Sequence, residues 1–165
     1  MIKKLTPSDF GAWKQLRLEG VKAHPESFGE SYQHIKEQDV QWFEQSLKNG
    51  TTFAYEQERQ MVGLVGMFSM QPGNMKHRAV LFGLYVKPEY RKQGLADALV
   101  HHAIEYAKPD HTQIHVTVTT NNEPAFSLYK KHGFILYGTE PNALRVAGQY
   151  FDEYLCYFEM YLKDF

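Results

Sequence analysis

The chain has 165 residues, 43% of them hydrophobic and 22% charged, with a formal net charge of -1. That length suits one domain with a real core, and the near-neutral balance argues against a nucleic-acid surface, which carries a basic excess. No apolar run approaches the ~18 residues of a membrane span, the charged start at 1–7 has no apolar stretch behind it, and a lone cysteine forms no intrachain disulfide, so the expected address is the cytoplasm.

Residues 2–5 read as a short strand. Thr6-Pro7-Ser8-Asp9 opens a helix, with a threonine to cap, a proline for the first helical position and an acid three residues after the cap. Phe10, Trp13, Leu16, Gly20 and Val21 share one face of it. His24-Pro25 ends it, because a residue before proline is pushed out of the helical region. Residues 26–38 are polar and interrupted by Gly29, a loop or broken helix holding Phe28, Tyr32 and Ile35. Asp39 caps a second helix that stops at Asn49-Gly50. Residues 51–55 and 61–70 read as strands around a polar turn, and 71–74 as a loop. Residues 78–86 are apolar almost throughout, which suits a central strand covered on both faces.

A tight turn follows, Lys87-Pro88-Glu89-Tyr90-Arg91-Lys92-Gln93-Gly94, and then a helix with Leu95, Leu99, Ala103 and Ala107 in one stripe. Asp97, His101, Glu105 and Lys108 form its opposite face. Backbone N–H groups at such a helix start have no intrahelical partner, and the helix dipole adds positive charge. Phosphates bind such ends readily, a nucleotide as well as any other. Residues 113–119 alternate as a strand. Asn121-Asn122-Glu123-Pro124 starts another helix, with Ala125, Leu128, Tyr129 and His132 on one face and Gly133 as its end. Residues 134–137 and 150–162 are the last strands, joined by a loop containing Pro141 and Gly148. The order β-α-α-β-β-β-α-β-α-β-β makes a single α/β domain over 1–165, with a right-handed parallel crossover at its centre. Cys156, in the last apolar run, reads as a buried small hydrophobe.

Arg91-Lys92-Gln93-Gly94-Leu95-Ala96 resembles the [Gln/Arg]-x-x-Gly-x-[Gly/Ala] motif of the GCN5-related N-acetyltransferases, the GNAT superfamily. Asn122, Ala125, Leu128, Tyr129, Gly133 and Phe134 match the spacing of that family's second cofactor segment. The resemblance implies one mixed, mostly antiparallel sheet of about seven strands, with helices on both faces and splayed central parallel strands. It implies acetyl-CoA as donor and an amine as acceptor. Backbone amides of Arg91, Lys92, Gln93, Gly94, Leu95 and Ala96 would hold the pyrophosphate, with charge added by Arg91 and Lys92. Leu84, Tyr85 and Val86 would pair with the pantetheine arm, and the amide of Tyr85 or Val86 would polarise the thioester carbonyl. Asn122 and Ala125 would flank that arm, and Tyr129 would be the general acid. No metal is implied, and a homodimer through the apolar last strand, 155–162, is consistent with the family.

Each of these residues has a plainer reading. Tyr129 shares a helix face with Ala125 and Leu128 and suits a core, and Asn122 suits an N-cap. Eight histidines invite a metal, yet the one carboxylate-backed pair, His101 with Glu105, lies on the solvent side of its helix. For the general base the candidates are Glu26, Glu30, His77, Glu153 and a water chain. Residues 26–38, 71–77 and 141–150 would rim the acceptor side, with Phe28, Tyr32, Met75 and Tyr150 as walls and Glu26, Glu30, Glu37 and Glu140 as acids. That rim suits a small cationic amine. A peptide N-terminus or lysine is the alternative acceptor, and a non-catalytic acyl-CoA-binding module is a third reading.

Overall fold

In a computed structural model, which describes residues 1–160, the chain forms one seven-stranded sheet with helices on both faces. The elements are β1 (Ile2–Lys4), α1 (Phe10–Ala23), α2 (Tyr32–Glu37), α3 (Val40–Asn49), β2 (Thr51–Gln57), β3 (Gln60–Ser69), β4 (Arg78–Val86), α4 (Leu95–Ala107), β5 (Gln113–Thr119), α5 (Glu123–Lys131), β6 (Ile135–Val146) and β7 (Gln149–Glu159). The sheet order is β1-β2-β3-β4-β5-β7-β6, and β4 with β5 is its parallel pair. Short 3₁₀ turns at Pro7–Asp9, Pro25–Ser27 and Pro88–Tyr90 follow the prolines read from the sequence.

The capping residues work as their chemistry dictates. Thr6 N–H donates to Asp9 Oδ2 at 2.7 Å, and Trp42 N–H to Asp39 Oδ1 at 2.9 Å. Ser31, inside the stretch expected to be loop or broken helix, caps α2 by accepting from His34 N–H at 3.1 Å.

Two cores form, one on each sheet face. Leu99, Val100, Ala103 and Ile104 of α4 pack on Phe53, Val62, Val65, Leu81 and Ile114. On the other face Trp13, Leu16 and Val21 of α1 meet Ile35, Phe43, Leu64 and Tyr85. Trp13 and Trp42 both meet the Phe43 ring edge-on, at 5.7 and 4.9 Å.

Between Phe82 and Tyr85 the central strand β4 carries one residue more than β3 does between Gly66 and Leu64. Gly83 takes φ +65 there. Side chains alternate along a strand, so the extra residue inverts the faces beyond it. Ala79 and Leu81 belong to the α4 core, whereas Tyr85 turns to the α1 core. Parallel pairing with β5 stops at Val80–His115, although both strands continue. The coverage expected on both faces is incomplete for that reason: Val80, Phe82 and Leu84 are only half-buried.

Two expectations change. The loop expected between the last strands is a hairpin, in which β6 and β7 run on to a two-residue turn at Ala147 and Gly148, with φ +50 and +78. β6 is an edge strand, exposed along most of its length, so no apolar period marks it. Its register shifts between Glu140 and Leu144, where Pro141 can sit without donating to the ladder. The last strand lies between β5 and β6 rather than at an edge, so its backbone is already paired on both sides. Tyr161 and Leu162, included in the expected strand, lie outside the described residues. Among the described residues no helix is long and apolar enough to cross a membrane, and no three His, Cys, Asp or Glu side chains group as metal ligands would.

Leu99 is fully buried against the sheet. Leu99→Ala is expected to lower unfolding stability by about 2–5 kcal/mol, read as a lower urea midpoint, whereas Ile135→Ala on the exposed edge changes it by about 0.5 kcal/mol or less.

Candidate active site

Two clefts meet at the β4 bulge. The first, of about 630 Å³, lies between the end of β4 and the starts of α4 and α5. The second, of about 430 Å³, lies on the other side of β4, under α1 and α3. Adjacent bulge residues serve different clefts: Leu84 lines the first and Gly83 the second. The segment after α1 crosses between them, so that Ser27 and Phe28 line both.

The first cleft gathers ten of the residues expected from sequence: Leu84, Tyr85, Val86, Arg91, Lys92, Gly94, Leu95, Ala96, Asn122 and Ala125. Its floor at the start of α4 is built from backbone. Lys92 and Gly94 take left-handed φ of +61 and +81, which turns the chain sharply into the helix. The first bond of that helix runs from Ala98 N–H to Gly94 O at 3.0 Å, so the N–H groups of Leu95, Ala96 and Asp97 have no intrahelical acceptor. A Cβ built on Gly94 meets nothing within 4 Å, so the cradle has room above it. These features fit an anion.

Charge around this floor is partly spoken for. Arg91 folds back, its Nε donating to Val86 O at 2.9 Å and its guanidinium lying 5.7 Å from the Tyr85 ring centre. Asp97, expected on the solvent face, is paired at the end of α5 with Lys131 and His132, each at 3.1 Å. The Lys131 hydrogen bond chiefly holds its carboxyl below the usual range. An acid at the helix start therefore adds little repulsion towards a bound phosphate. Lys92 remains exposed on the rim.

Two expected residues sit elsewhere. Gln93 is exposed, its amide donating to Glu89 O at 3.4 Å, and it does not line the cleft. Tyr129 lies in the core behind Ala125 and Leu128, edge-on to Phe134 at 5.3 Å. Burial drives its phenol well above the ordinary value, with Cys156 adding to the shift, so the group stays protonated. Asn122 does cap α5, accepting from Ala125 N–H at 3.3 Å, while its Nδ2 donates to Ser27 Oγ at 3.4 Å. The plain reading and the site position hold together for this residue.

The second cleft takes its walls from Trp13, Trp42, Phe28, Phe68 and Phe82 and its charges from Arg17, Glu30 and Glu153. Sequence reasoning missed Arg17, whose one signal is its spacing of four from both Trp13 and Val21. Among the residues expected to rim an acceptor site, Glu26 faces the first cleft instead, and Met75 and Tyr150 line neither. The 141–150 stretch contributes Leu144 alone, because it is hairpin rather than loop. Among the base candidates, Glu30 is bound to Arg17 at 2.7 Å. Glu153 lines the second cleft, its carboxyl raised by burial, held back by the Thr117 hydroxyl and raised again by Glu140. His77 precedes β4 at the end remote from the bulge and lines neither cleft. Tyr85 reaches across to α1, donating to Glu19 Oε2 at 2.8 Å, and burial with that bond pushes its phenol up to about 12.

Residues 14–134 match the model of the acetyltransferase (GNAT) family. The chain belongs to the GNAT family. It is 35% identical to the L-amino acid N-acetyltransferase AaaT of Escherichia coli over 77 residues, 44% of this chain and 46% of that one. It is 32% identical to streptothricin acetyltransferase A of Bacillus subtilis over 117 residues, 66% of this chain and 64% of the relative. The chain thus spans about half to two thirds of these relatives. A GNAT acetyltransferase structure from Streptococcus pneumoniae superposes with a TM-score of 0.86 at 23% identity, covering 97% of this chain and 98% of that one. A Salmonella typhimurium structure that holds acetyl-CoA as its cofactor superposes at 0.82 with 14% identity, covering 99% and 95%. These likenesses place the fold; both motifs, at 91–96 and 122–134, lie within the span of the GNAT model, and the second ends where the model ends.

Gly20 of α1 is what lets Tyr85 and Phe28 form the shared wall: a Cβ there would come within 3.0 Å of Tyr85 Cγ and 3.2 Å of Phe28 Cζ. Gly20→Val is expected to overpack this wall and lower stability by about 1–3 kcal/mol, measured by urea unfolding.

Proposed function

We propose that this chain is an acetyl-CoA-dependent N-acetyltransferase whose acceptor is the primary amine of a small molecule. One observation carries the reading: β4 leaves β5 after Val80 and opens a cleft on each side of a single bulge. A donor held in one cleft and an acceptor held in the other would meet there. The unpaired N–H groups of Leu95, Ala96 and Asp97, with the room above Gly94, fit the pyrophosphate of CoA. Leu84, Tyr85 and Val86, free of β5, can offer backbone groups to the pantetheine arm. A backbone N–H at Tyr85 or Val86, aimed at the thioester oxygen, would contribute about 3–4 kcal/mol to the transition state.

CoA supplies the activated acetyl group; the chain positions it and manages protons. The acceptor enters as an ammonium and must lose one proton before its nitrogen can attack the carbonyl carbon. The new C–N bond forms as the C–S bond breaks, and the nitrogen gives up a second proton. Tyr129 donates its phenolic proton to the departing sulfur and is reprotonated afterwards, so the net products are the amide, free CoA thiol and one proton. Its phenol is protonated at neutral pH, as a proton donor must be. Its phenol lines neither cleft in this structure, so the acid role requires it to reach the sulfur past Ala125 and Leu128.

The relatives' names span several acceptors. An L-amino acid, streptothricin and spermidine are named for small-molecule relatives, and a ribosomal protein alanine for another. A second cleft of about 430 Å³ walled by aromatics favours a small acceptor over an extended chain.

Saturating acetyl-CoA is expected to raise the thermal midpoint, since a ligand at 100 times its Kd adds about 2.7 kcal/mol. Gly94→Glu is expected to abolish that shift by placing a carboxylate in the phosphate cradle. Release of CoA thiol over a panel of amines and peptides then tests turnover. Tight binding without release on any acceptor would instead mark an acyl-CoA-binding module. Tyr129→Phe is expected to lower kcat about 10²-fold or more with little change in acetyl-CoA protection. Unchanged kcat would remove Tyr129 from the chemistry.

A further inference from the structure

The second cleft holds three charged side chains of two signs, each with a different degree of satisfaction. Arg17 rises from α1 with its side chain only 13% exposed. Its guanidinium lies 5.0 Å from the Trp13 ring centre and 5.9 Å from that of Trp42. A guanidinium carries five N–H donors in a planar fork. Among the described residues one acceptor engages it, Glu30 Oε2, at 2.7 Å from its Nη2. Glu30 is itself 40% exposed and belongs to the segment that crosses between the clefts. A buried cation with its ring contacts made and most of its donors unspent is shaped for a second planar anion, because a carboxylate matches the fork two bonds at a time.

A separate observation lies on the sheet side of the same cleft. Glu153 of β7 lines it, has no basic partner among the described residues, and accepts from the Thr117 hydroxyl, with Glu140 as a like-charged neighbour. Thr119, which pairs with Glu153 across β5 and β7, carries the one buried side-chain polar atom without a hydrogen-bond partner among the described residues, its Oγ1. Thr119 is 3% exposed and shares its strand face with Thr117, by alternation along β5. A carboxylate without a cation beside an unpartnered hydroxyl is a place for a donor with several N–H groups. Thr117 and the bulge residue Gly83 line this cleft from the two strands that splay apart, so this end adjoins the donor cleft.

Resting on the transferase reading, we infer that the acceptor is a small amino acid-like molecule, its ammonium seated on Glu153 and its carboxylate on Arg17. The amine is thereby held at the splay, where attack takes place, and the carboxylate points towards α1. The aromatic walls leave room for an apolar side chain. Glu153 is also placed to receive the proton that the ammonium sheds before attack. Arg17 acts by binding and orientation, not by proton transfer.

The test is thiol release from acetyl-CoA with L-leucine and L-phenylalanine, their carboxamides, and 1,4-diaminobutane. Wild type is expected to favour the acids over the amides by about tenfold or more in kcat/KM, the loss that follows when charge-assisted hydrogen bonds to the guanidinium are not made. Arg17→Gln should erase that ratio through KM for the acids, and Arg17→Lys should restore part of it, since the charge returns without the fork. Glu30→Gln should keep the ratio, because it breaks the ion pair and spares the guanidinium. Glu153→Gln should lower kcat/KM for acids and amides alike and shift the pH profile. Acetyl-CoA protection reports that each variant is folded. Equal use of amides and acids by wild type, or loss of the ratio in Glu30→Gln as in Arg17→Gln, overturns the inference and leaves the transferase reading standing. Thiol release with no compound of the panel overturns the inference together with the small-molecule reading on which it rests.

Discussion

The structure depends on one local constraint, the single extra residue in β4 between Phe82 and Tyr85. A central strand in a two-faced sheet is normally paired on both edges and buried on both faces. The bulge breaks both conditions at once. It inverts the side-chain faces, so Tyr85 leaves the α4 core for α1, and it turns β4 away from β5 beyond Val80. Backbone groups and half-buried apolar side chains that would have been interior are left at the seam of two clefts. The cost in pairing is met by large cores on either side, Leu99 and Ile114 above and Phe43 and Ile35 below, each fully or almost fully buried.

The two clefts differ in how they handle charge, and the difference follows from the elements that make them. The first cleft is built at a helix start, where positive potential comes from unpaired backbone N–H groups and needs few cations. Arg91 is therefore free to brace the turn against Val86 O, and Asp97 can be held by Lys131 and His132 without disturbing the cradle. The second cleft has helix sides and sheet faces rather than helix ends, so its charges are side chains. They stand on opposite walls, Arg17 on α1 and Glu153 on β7. The segment of Ser27 and Phe28 divides the two spaces, tied to α5 through Asn122 and packed at Gly20 of α1.

Local chemistry made much of this legible. Capping residues at Asp39 and Asn122, the proline at His24-Pro25 and the stripe of Leu95, Leu99, Ala103 and Ala107 each act within a few residues of their own position. The turn into α4 after Gly94 was readable for the same reason. The β6–β7 hairpin was not, because an exposed edge strand carries no apolar alternation and its bulges interrupt what pattern it has. Arg17 was hidden by company: at spacing four from Trp13 and Val21 it reads as part of a packing face, and only the approach of Trp42 and Glu30 makes it a cleft charge.

By itself the sequence determined the order of the strands and of the helices other than α2, the caps at Asp39 and Asn122, the turn into α4 and the family, since each rests on short-range backbone preferences or on motif spacing. Tertiary structure alone decided which residues face each other across the sheet. It put Tyr129 behind the cleft wall rather than on it, sent Glu26 to the first cleft, and brought Arg17 and Glu153 into the lining of the second. The physical reason is that these neighbours come from elements far apart in the chain; within β4 the bulge decides the face, since a one-residue change in register alters every side chain beyond it.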